Sequence, residues 1–242
     1  MEKLTPAERL IVAADFEPVD GRRESVELQV LRLADDLRDT GVYLKVNSAL
    51  AACGYRLIRR IHERGLRVFA DPKLVDIDET LRLYGTLLRQ DPPELLTTMC
   101  DNSIRALGKL KESVSEKTEV LGVTALTTMD ESDTQELYSC SVEDAVLRRA
   151  ARAHAAGFGG LICSARESTT LSSLYGQTMT INTPGIRPAW SVVAGDDQKR
   201  TMTPSDAIRS GSTRIIVGRP ITQAANRLGA VRRILEEINQ AQ

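Results

Sequence analysis

The stretch LRVFADPKLVDIDETLRLYGTLLRQDPPELLTTMC, residues 66–100, contains one strand–helix–strand unit. Its two ends, residues 66–72 and 94–100, are short apolar runs typical of strands that are buried in a parallel sheet. The chain between them has the pattern of an amphipathic helix. Charged residues cluster directly after the first run, where a solvated loop or a functional site would place them.

The same alternation continues along the whole chain. The eight predicted strands are residues 10–16, 42–46, 66–72, 94–100, 119–127, 159–164, 179–183 and 214–218, with helical patterns between them. Eight strand–helix units in this length predict a single (β/α)8 TIM barrel that covers residues 1–242. An open doubly wound sheet is the competing architecture. It predicts a glycine-rich dinucleotide turn after the first strand, where the sequence reads AADFEPVDG.

Composition places the chain among soluble globular proteins. It has 242 residues, of which 42% are hydrophobic and 27% are charged, and a formal net charge of −1. This balance gives no general attraction to nucleic acid or to membranes. The N-terminal sequence MEKLTPAERL lacks the apolar core of a signal peptide. We therefore expect a cytoplasmic protein.

Cysteines and histidines do not point to a metal or redox site. The four cysteines, which are Cys53, Cys100, Cys140 and Cys163, are widely spaced and form no CxxC pair. The two histidines, His62 and His154, lie inside helical patterns. We interpret both as structural or surface residues.

Charged and polar residues follow the predicted strands, and in a barrel the C-terminal strand ends carry the functional groups. The strand ends supply Asp15, Lys45, Asp71, Lys73, Asp76, Thr124, Thr127, Thr128, the segment TPGIRP, Gly218 and Arg219. Asp71 and Lys73 are two residues apart, so on a strand they point to the same side and each favours the ionised form of the other. A salt bridge at the barrel mouth is the simpler interpretation of this pair.

Asp76 has two interpretations that the sequence leaves open. It could be the N-cap of the next helix, with Glu79 completing a capping box. It could instead be a catalytic carboxylate, with Thr80 one turn further on the same helix face.

The last two strand ends have the features of a phosphate site. Barrel loops at this position often bind phosphate through backbone N–H groups, a helix N-terminus and a basic side chain. Gly218 allows close approach of the backbone, Arg219 can bind phosphate oxygens in a bidentate manner, and the loop AGDDQKR supplies Gln198. A surface turn with scattered charges would explain that loop, but it explains the segment VGRP poorly.

These residues resemble the orotidine 5′-phosphate decarboxylase family over most of the chain. DPKLVDIDET, residues 71–80, fits the family signature D-x-K-x-x-D-I-x-x-T. The segments LKV, TPGIRP, GDDQKRTMTPSDAI and IIVGRPIT occur in the expected order. The resemblance implies decarboxylation of orotidine 5′-monophosphate to UMP, the last step of pyrimidine nucleotide synthesis, by a homodimer that uses no metal and no organic cofactor.

The resemblance also implies a role for each matching residue. Lys45, Asp71, Lys73 and Asp76 match the family's charged tetrad, and Asp76 and Thr80 match residues that enter the neighbouring subunit's site. Asp15 matches the ribose-binding aspartate, and Thr128 falls where many relatives have a serine beside the pyrimidine. The residues that match the family's phosphate contacts are Gln198, Gly218 and Arg219.

The chain departs from the family pattern in several places and leaves two alternatives open. Asn47 stands where a glycine is usual, and residues 99–103 replace a stretch that commonly contains histidine and glycine. One alternative is a sister decarboxylase or aldolase that acts on a sugar phosphate and needs Mg²⁺ to hold an enediolate. The other is a non-catalytic protein that only binds nucleotides.

Overall fold

The computed structural model describes residues 4–191 and 202–241. Eight parallel strands close into a barrel in chain order, which confirms the predicted (β/α)8 architecture. The strands are β1 (Leu10–Ala13), β2 (Tyr43–Val46), β3 (Arg67–Leu74), β4 (Leu95–Met99), β5 (Glu119–Val123), β6 (Gly160–Ile162), β7 (Thr180–Thr183) and β8 (Arg214–Val217).

Helices surround the barrel and also contribute to its C-terminal rim. The α-helices are α1 (Arg23–Asp36), α2 (Ser48–Cys53), α3 (Arg56–His62), α4 (Asp78–Leu88), α5 (Ile104–Ser113), α6 (Glu131–Tyr138), α7 (Val142–Ala155), α8 (Ser168–Tyr175), α9 (Pro204–Arg209), α10 (Arg219–Thr222) and α11 (Arg227–Gln240). Two short 3₁₀ helices are Ala7–Arg9 and Val19–Gly21. In the described part of the chain, no helix is long and apolar enough to cross a membrane.

Most strand positions are apolar, and most are buried, because the strands have the barrel interior on one face and the helices on the other. In β1, Leu10 and Val12 pack in the layer between strands and helices, whereas Ile11 and Ala13 belong to the cluster inside the barrel. The interior cluster also contains Phe69, Leu121, Val123, Ile162 and Ile216. Burial on both faces explains why the strands appear as continuous apolar runs rather than as alternating patterns.

A buried arginine closes the N-terminal end of the barrel. Arg214 begins β8, and its Nη2 lies 2.9 Å from Oε2 of Glu119, which begins β5. Its guanidinium also lies 5.4 Å from the ring centroid of Tyr43, and Nη1 donates to Asn182 Oδ1 at 3.2 Å. This network fills the barrel bottom, so the polar groups described next lie at the opposite end.

Candidate active site

A cavity of about 630 Å³ lies at the C-terminal ends of the strands. Of the predicted site residues, those that line it are Asp15, Lys45, Asp71, Lys73, Gly218 and Arg219. Three others, Asp76, Thr80 and Thr128, do not line it. Gln198 lies outside the described residues. The barrel topology therefore brings together residues that are more than 200 positions apart in the chain.

An alternating row of charges forms one wall of the cavity. Lys73 Nζ lies 2.8 Å from Asp71 Oδ2, and Lys45 Nζ lies 3.4 Å from the same oxygen. Lys45 Nζ also lies 3.0 Å from Asp15 Oδ2. Lys45 and Asp71 are only 8% and 6% exposed. Because each buried charge has opposite charges as neighbours, their attraction offsets much of the desolvation cost.

Asp71 is the centre of this row, and neighbouring strands fix its orientation. Thr97 Oγ1, from β4, donates to Asp71 Oδ1 at 2.8 Å and accepts the backbone N–H of Lys73 at 3.1 Å. Asn47 Nδ2 donates to Asp71 Oδ2 at 3.4 Å. Asn47, which departs from the family pattern, therefore belongs to the charged site. Neither Asn47 nor Thr97 was predicted as a site residue.

Lys73 reaches the cavity through an irregularity in β3. Its φ is +50°, in the left-handed region that non-glycine residues rarely adopt, and the pairing of β3 with β4 shifts register between Ala70 and Leu74. Such bulges redirect side chains and occur often beside active sites. The predicted pairing of Asp71 with Lys73 is confirmed, but a bulge rather than regular strand alternation produces it.

The capping-box interpretation of Asp76 is wrong. The N-cap of α4 is Ile77, whose side chain makes no capping hydrogen bond. Glu79 instead forms hydrogen bonds with Arg82, at 3.0 Å from Arg82 Nε. The helix begins at Asp78, one residue later than a capping box with Asp76 as its N-cap requires. Asp76 itself is exposed, and its Oδ1 accepts the N–H of Ile77 at 2.7 Å.

The ends of β7 and β8 form the opposite wall. Pro184, Gly185 and Arg187 follow β7, and Gly218, Arg219 and Thr222 follow β8. A Cβ added at Gly218 would approach only Ala13, at an ordinary 3.6 Å from its Cβ, so packing does not require glycine here. The absence of a side chain instead leaves the backbone open to a ligand. Arg187 belongs to the segment TPGIRP, which was predicted at the end of the seventh strand without a role for this arginine.

The loop after β5 places Thr127, rather than Thr128, in the cavity wall. Thr128 is exposed. Thr124 is fully buried and donates to the carbonyl of Ile162 at 3.0 Å, so it joins β5 to β6. Of the two adjacent threonines, the one that lines the cavity is therefore Thr127, one position before the residue that the family resemblance implies.

The cysteines lie away from this chemistry. All four are buried and unpaired as thiols. Burial raises the pKa of Cys100 to about 12 and also raises the pKa of Cys163. Such thiols stay protonated near neutral pH and are poor nucleophiles.

Comparisons with known proteins agree with this geometry. The sequence model of the orotidine 5′-phosphate decarboxylase / HUMPS family matches residues 8–234 of this chain. The chain is 38% identical over 244 residues to a Methylobacterium sp. protein named orotidine 5′-phosphate decarboxylase, with 99% of each chain covered. It is 37% identical over 246 residues to a protein of the same name from Rhodopseudomonas palustris, with 100% of each covered.

Solved structures give the same result. The crystal structure of orotidine 5′-phosphate decarboxylase from Lactobacillus acidophilus superposes with a TM-score of 0.77 and 26% identity, covering 96% of this chain and 99% of that one. An uncharacterized conserved protein from Geobacillus kaustophilus also gives a TM-score of 0.77 and 26% identity, covering 95% and 100%.

Proposed function

Because the chain belongs to the orotidine 5′-phosphate decarboxylase family, we propose that it is a lyase that decarboxylates orotidine 5′-monophosphate to UMP in pyrimidine nucleotide synthesis. One observation carries the assignment of roles. The alternating charges of Asp15, Lys45, Asp71 and Lys73 share a single cavity with Gly218 and Arg219. A reacting ring and a phosphate group can therefore be held in the same site.

Lys73 is the group that supports the chemical step. Breaking the bond between C6 and the carboxylate leaves an electron pair on C6, which the pyrimidine ring delocalises poorly. Preorganised charge must then stabilise the carbanion. The Lys73 ammonium, held 2.8 Å from Asp71, is placed as counter-ion and then as donor of the proton to C6. The products are UMP and CO₂.

Asp71 acts on the other side of the same bond. Its carboxylate is buried, and hydrogen bonds from Thr97 and Lys73 restrict its movement. In this proposal Asp71 faces the substrate carboxylate, and the two negative charges repel each other in the ground state. The repulsion disappears as CO₂ leaves. Binding energy from distant parts of the substrate offsets this unfavourable contact.

The rest of the substrate extends from the charged row to the opposite wall. Asp15 is placed for the ribose hydroxyls, and Thr127, with Thr128 beside it, for the pyrimidine. Gly218, Arg219 and Gln198 bind the phosphate in this proposal, as the family resemblance implies. Arg187 adds a second guanidinium at the wall where Arg219 lies.

The proposal includes a homodimer in which Asp76 and Thr80 enter the partner's cavity. Asp76 is exposed and does not line the cavity of its own chain. Its two neighbours are apolar yet largely exposed, Val75 at 63% and Ile77 at 71%, and Leu87 on α4 is 70% exposed. Exposed apolar residues along this loop and helix are typical of a surface that another protein covers. We place the dimer in the cytoplasm.

Turnover is the direct test of the activity. Purified protein mixed with orotidine 5′-monophosphate should lower the absorbance of the orotate chromophore and release UMP. A protein that binds UMP without turnover would instead be the non-catalytic alternative.

A chelator separates the proposed activity from that of a metal-dependent sister enzyme. We expect kcat to stay within about twofold after dialysis against EDTA, because Lys73 rather than a metal ion supplies the positive charge. An enzyme that holds an enediolate on Mg²⁺ would lose its activity and regain it when Mg²⁺ is added. The latter result on a sugar-phosphate substrate would favour the sister enzyme.

Replacing Arg219 by alanine should weaken capture of the phosphorylated substrate. A charge-assisted hydrogen bond contributes about 1.5–3 kcal/mol, so loss of a bidentate contact should lower kcat/KM about a hundredfold. Steady-state kinetics measures this effect. The matched control is Arg209→Ala, on the surface helix α9, where the guanidinium pairs with Asp206 at 3.5 Å. Unchanged kcat/KM in the Arg219 variant would exclude it as a phosphate ligand.

A further inference from the structure

Asn102 connects the segment after β4 to the loop that carries Asp76. Its side chain is 5% exposed, and its Oδ1 accepts the backbone N–H of Asp76 at 3.0 Å. Its Nδ2 lies 2.9 Å from the carbonyl oxygen of Leu74 and 3.0 Å from Thr98 Oγ1. One amide therefore holds the backbone on both sides of Val75.

The chemistry of this contact requires an amide side chain. An amide offers both an acceptor and two N–H donors, so it can bind an N–H and a C=O of the same loop. Thr98 adds a second bond to the same carbonyl, at 2.8 Å from Leu74 O. Asn102 lies in residues 99–103, where the chain departs from the family pattern.

Helix α7 holds Asn102 in place from the other side. Arg152 Nη2 donates to the carbonyl of Asn102 at 2.6 Å, and its Nε donates to the carbonyl of Cys100 at 2.9 Å. Arg149 Nε donates to Asp101 Oδ1 at 3.1 Å, and its guanidinium lies 3.6 Å from the Tyr138 ring centroid. The segment is thus fixed to the packed outer layer of the barrel.

We infer that Asn102 is a positioning residue for the decarboxylation, acting through the backbone of Asp76. The inference rests on the proposed function, in which Asp76 belongs to the active site. The Asp76 carboxylate lies on an exposed loop and accepts the N–H of the next residue, Ile77. This contact lies within the loop and does not attach the loop to the barrel. Asn102 supplies the connection from that loop to the barrel. Displacement of a catalytic group by about 1 Å can reduce a rate about a hundredfold.

The kinetic test compares Asn102→Ala with Asn182→Ala. Asn182 is also buried and donates its amide to a backbone carbonyl, that of Leu161 at 3.0 Å, but it lies in β7 away from the Asp76 loop. We expect Asn102→Ala to lower kcat at least about tenfold while KM changes less than about threefold, because the phosphate wall is intact. Asn182→Ala should lower the Tm at least as much as Asn102→Ala does, and it should leave kcat per folded molecule within about twofold of the wild-type value. Equal kcat losses in both variants, or no loss in Asn102→Ala, would overturn the inference.

Hydrogen exchange gives a second measurement that does not depend on activity. The amide of Asp76 should exchange at least about tenfold faster in Asn102→Ala. The amide of Leu81, which donates to the carbonyl of the α4 N-cap Ile77, should not change. Unchanged exchange at Asp76 would refute the contact. If wild-type protein shows no turnover, the proposed function fails, and the hydrogen-exchange measurement alone decides whether Asn102 holds the loop.

If Asn102→Ala does not fold, Thr98→Val replaces it as the test variant. We then expect kcat to fall, but by less than in Asn102→Ala. An unchanged kcat in Thr98→Val would count against the inference.

Discussion

Replacing Lys73 by alanine should abolish decarboxylation while the barrel stays folded. General acid catalysis contributes about 10²–10⁴, and removal of one group that stabilises developing charge costs about 10²–10³. Because Lys73 has both roles in the proposed mechanism, we expect kcat to fall by at least about 10⁴, equivalent to about 5.5 kcal/mol. Single-turnover assays with excess enzyme would measure the residual rate.

The fold should tolerate this change for two physical reasons. Asp71 keeps the ammonium of Lys45 at 3.4 Å and the hydroxyl of Thr97 at 2.8 Å, so its buried charge is not left without partners. The left-handed φ of +50° at position 73 is already occupied by a residue with a Cβ, so alanine adds no new backbone strain.

Controls make the Lys73 result interpretable. Lys109→Ala removes an exposed lysine of α5 that lies 3.9 Å from Glu112, and it should leave kcat unchanged. Calorimetric titration with UMP should show that Lys73→Ala still binds nucleotide through the phosphate wall. Near-normal turnover in a folded Lys73→Ala protein would exclude Lys73 as the proton donor.

The fold was predictable because burial on both faces leaves an apolar run in most of the strands, although not in β7, which reads TINT. The differences at strand ends have a physical cause. β1 and β5 were predicted to extend to residues 16 and 127, but they end at Ala13 and Val123. The first residues beyond them, Ala14 and Thr124, are fully buried although they lie outside the strands. Each still donates its backbone N–H to a neighbouring chain segment, at the carbonyls of Lys45 and Ile162. Apolar composition reports burial, and it cannot distinguish a buried strand from a buried loop.

The site was predictable only where strand position determines it. Asp15, Lys45, Asp71 and Lys73 were found because parallel strands bring their C-terminal ends to one rim. Side chains that reach these groups from neighbouring strands, such as Thr97, carry no comparable signal. Their contacts depend on the bulge at residues 70–74, which the sequence does not reveal.

The proposed exchange of Asp76 between subunits predicts that two inactive proteins regain activity when they are mixed. In a symmetric dimer, each site would combine Lys73 of one chain with Asp76 of the other. A mixed dimer of Lys73→Ala and Asp76→Ala chains would therefore have one site with both lesions and one with neither. If Asp76 acts only within its own chain, every site keeps one lesion.

We expect an equal mixture of Lys73→Ala and Asp76→Ala proteins to recover about a quarter of the wild-type activity per site after random subunit exchange, since half of the dimers are mixed and half of their sites are intact. Exchange is monitored independently with differently tagged chains. The matched control mixes Lys73→Ala with Lys45→Ala. Both lysines line the cavity of their own chain, so every site keeps a lesion and no activity returns. Failure of the first mixture, with exchange demonstrated, would limit Asp76 to its own chain, where it is exposed and lies outside the cavity wall.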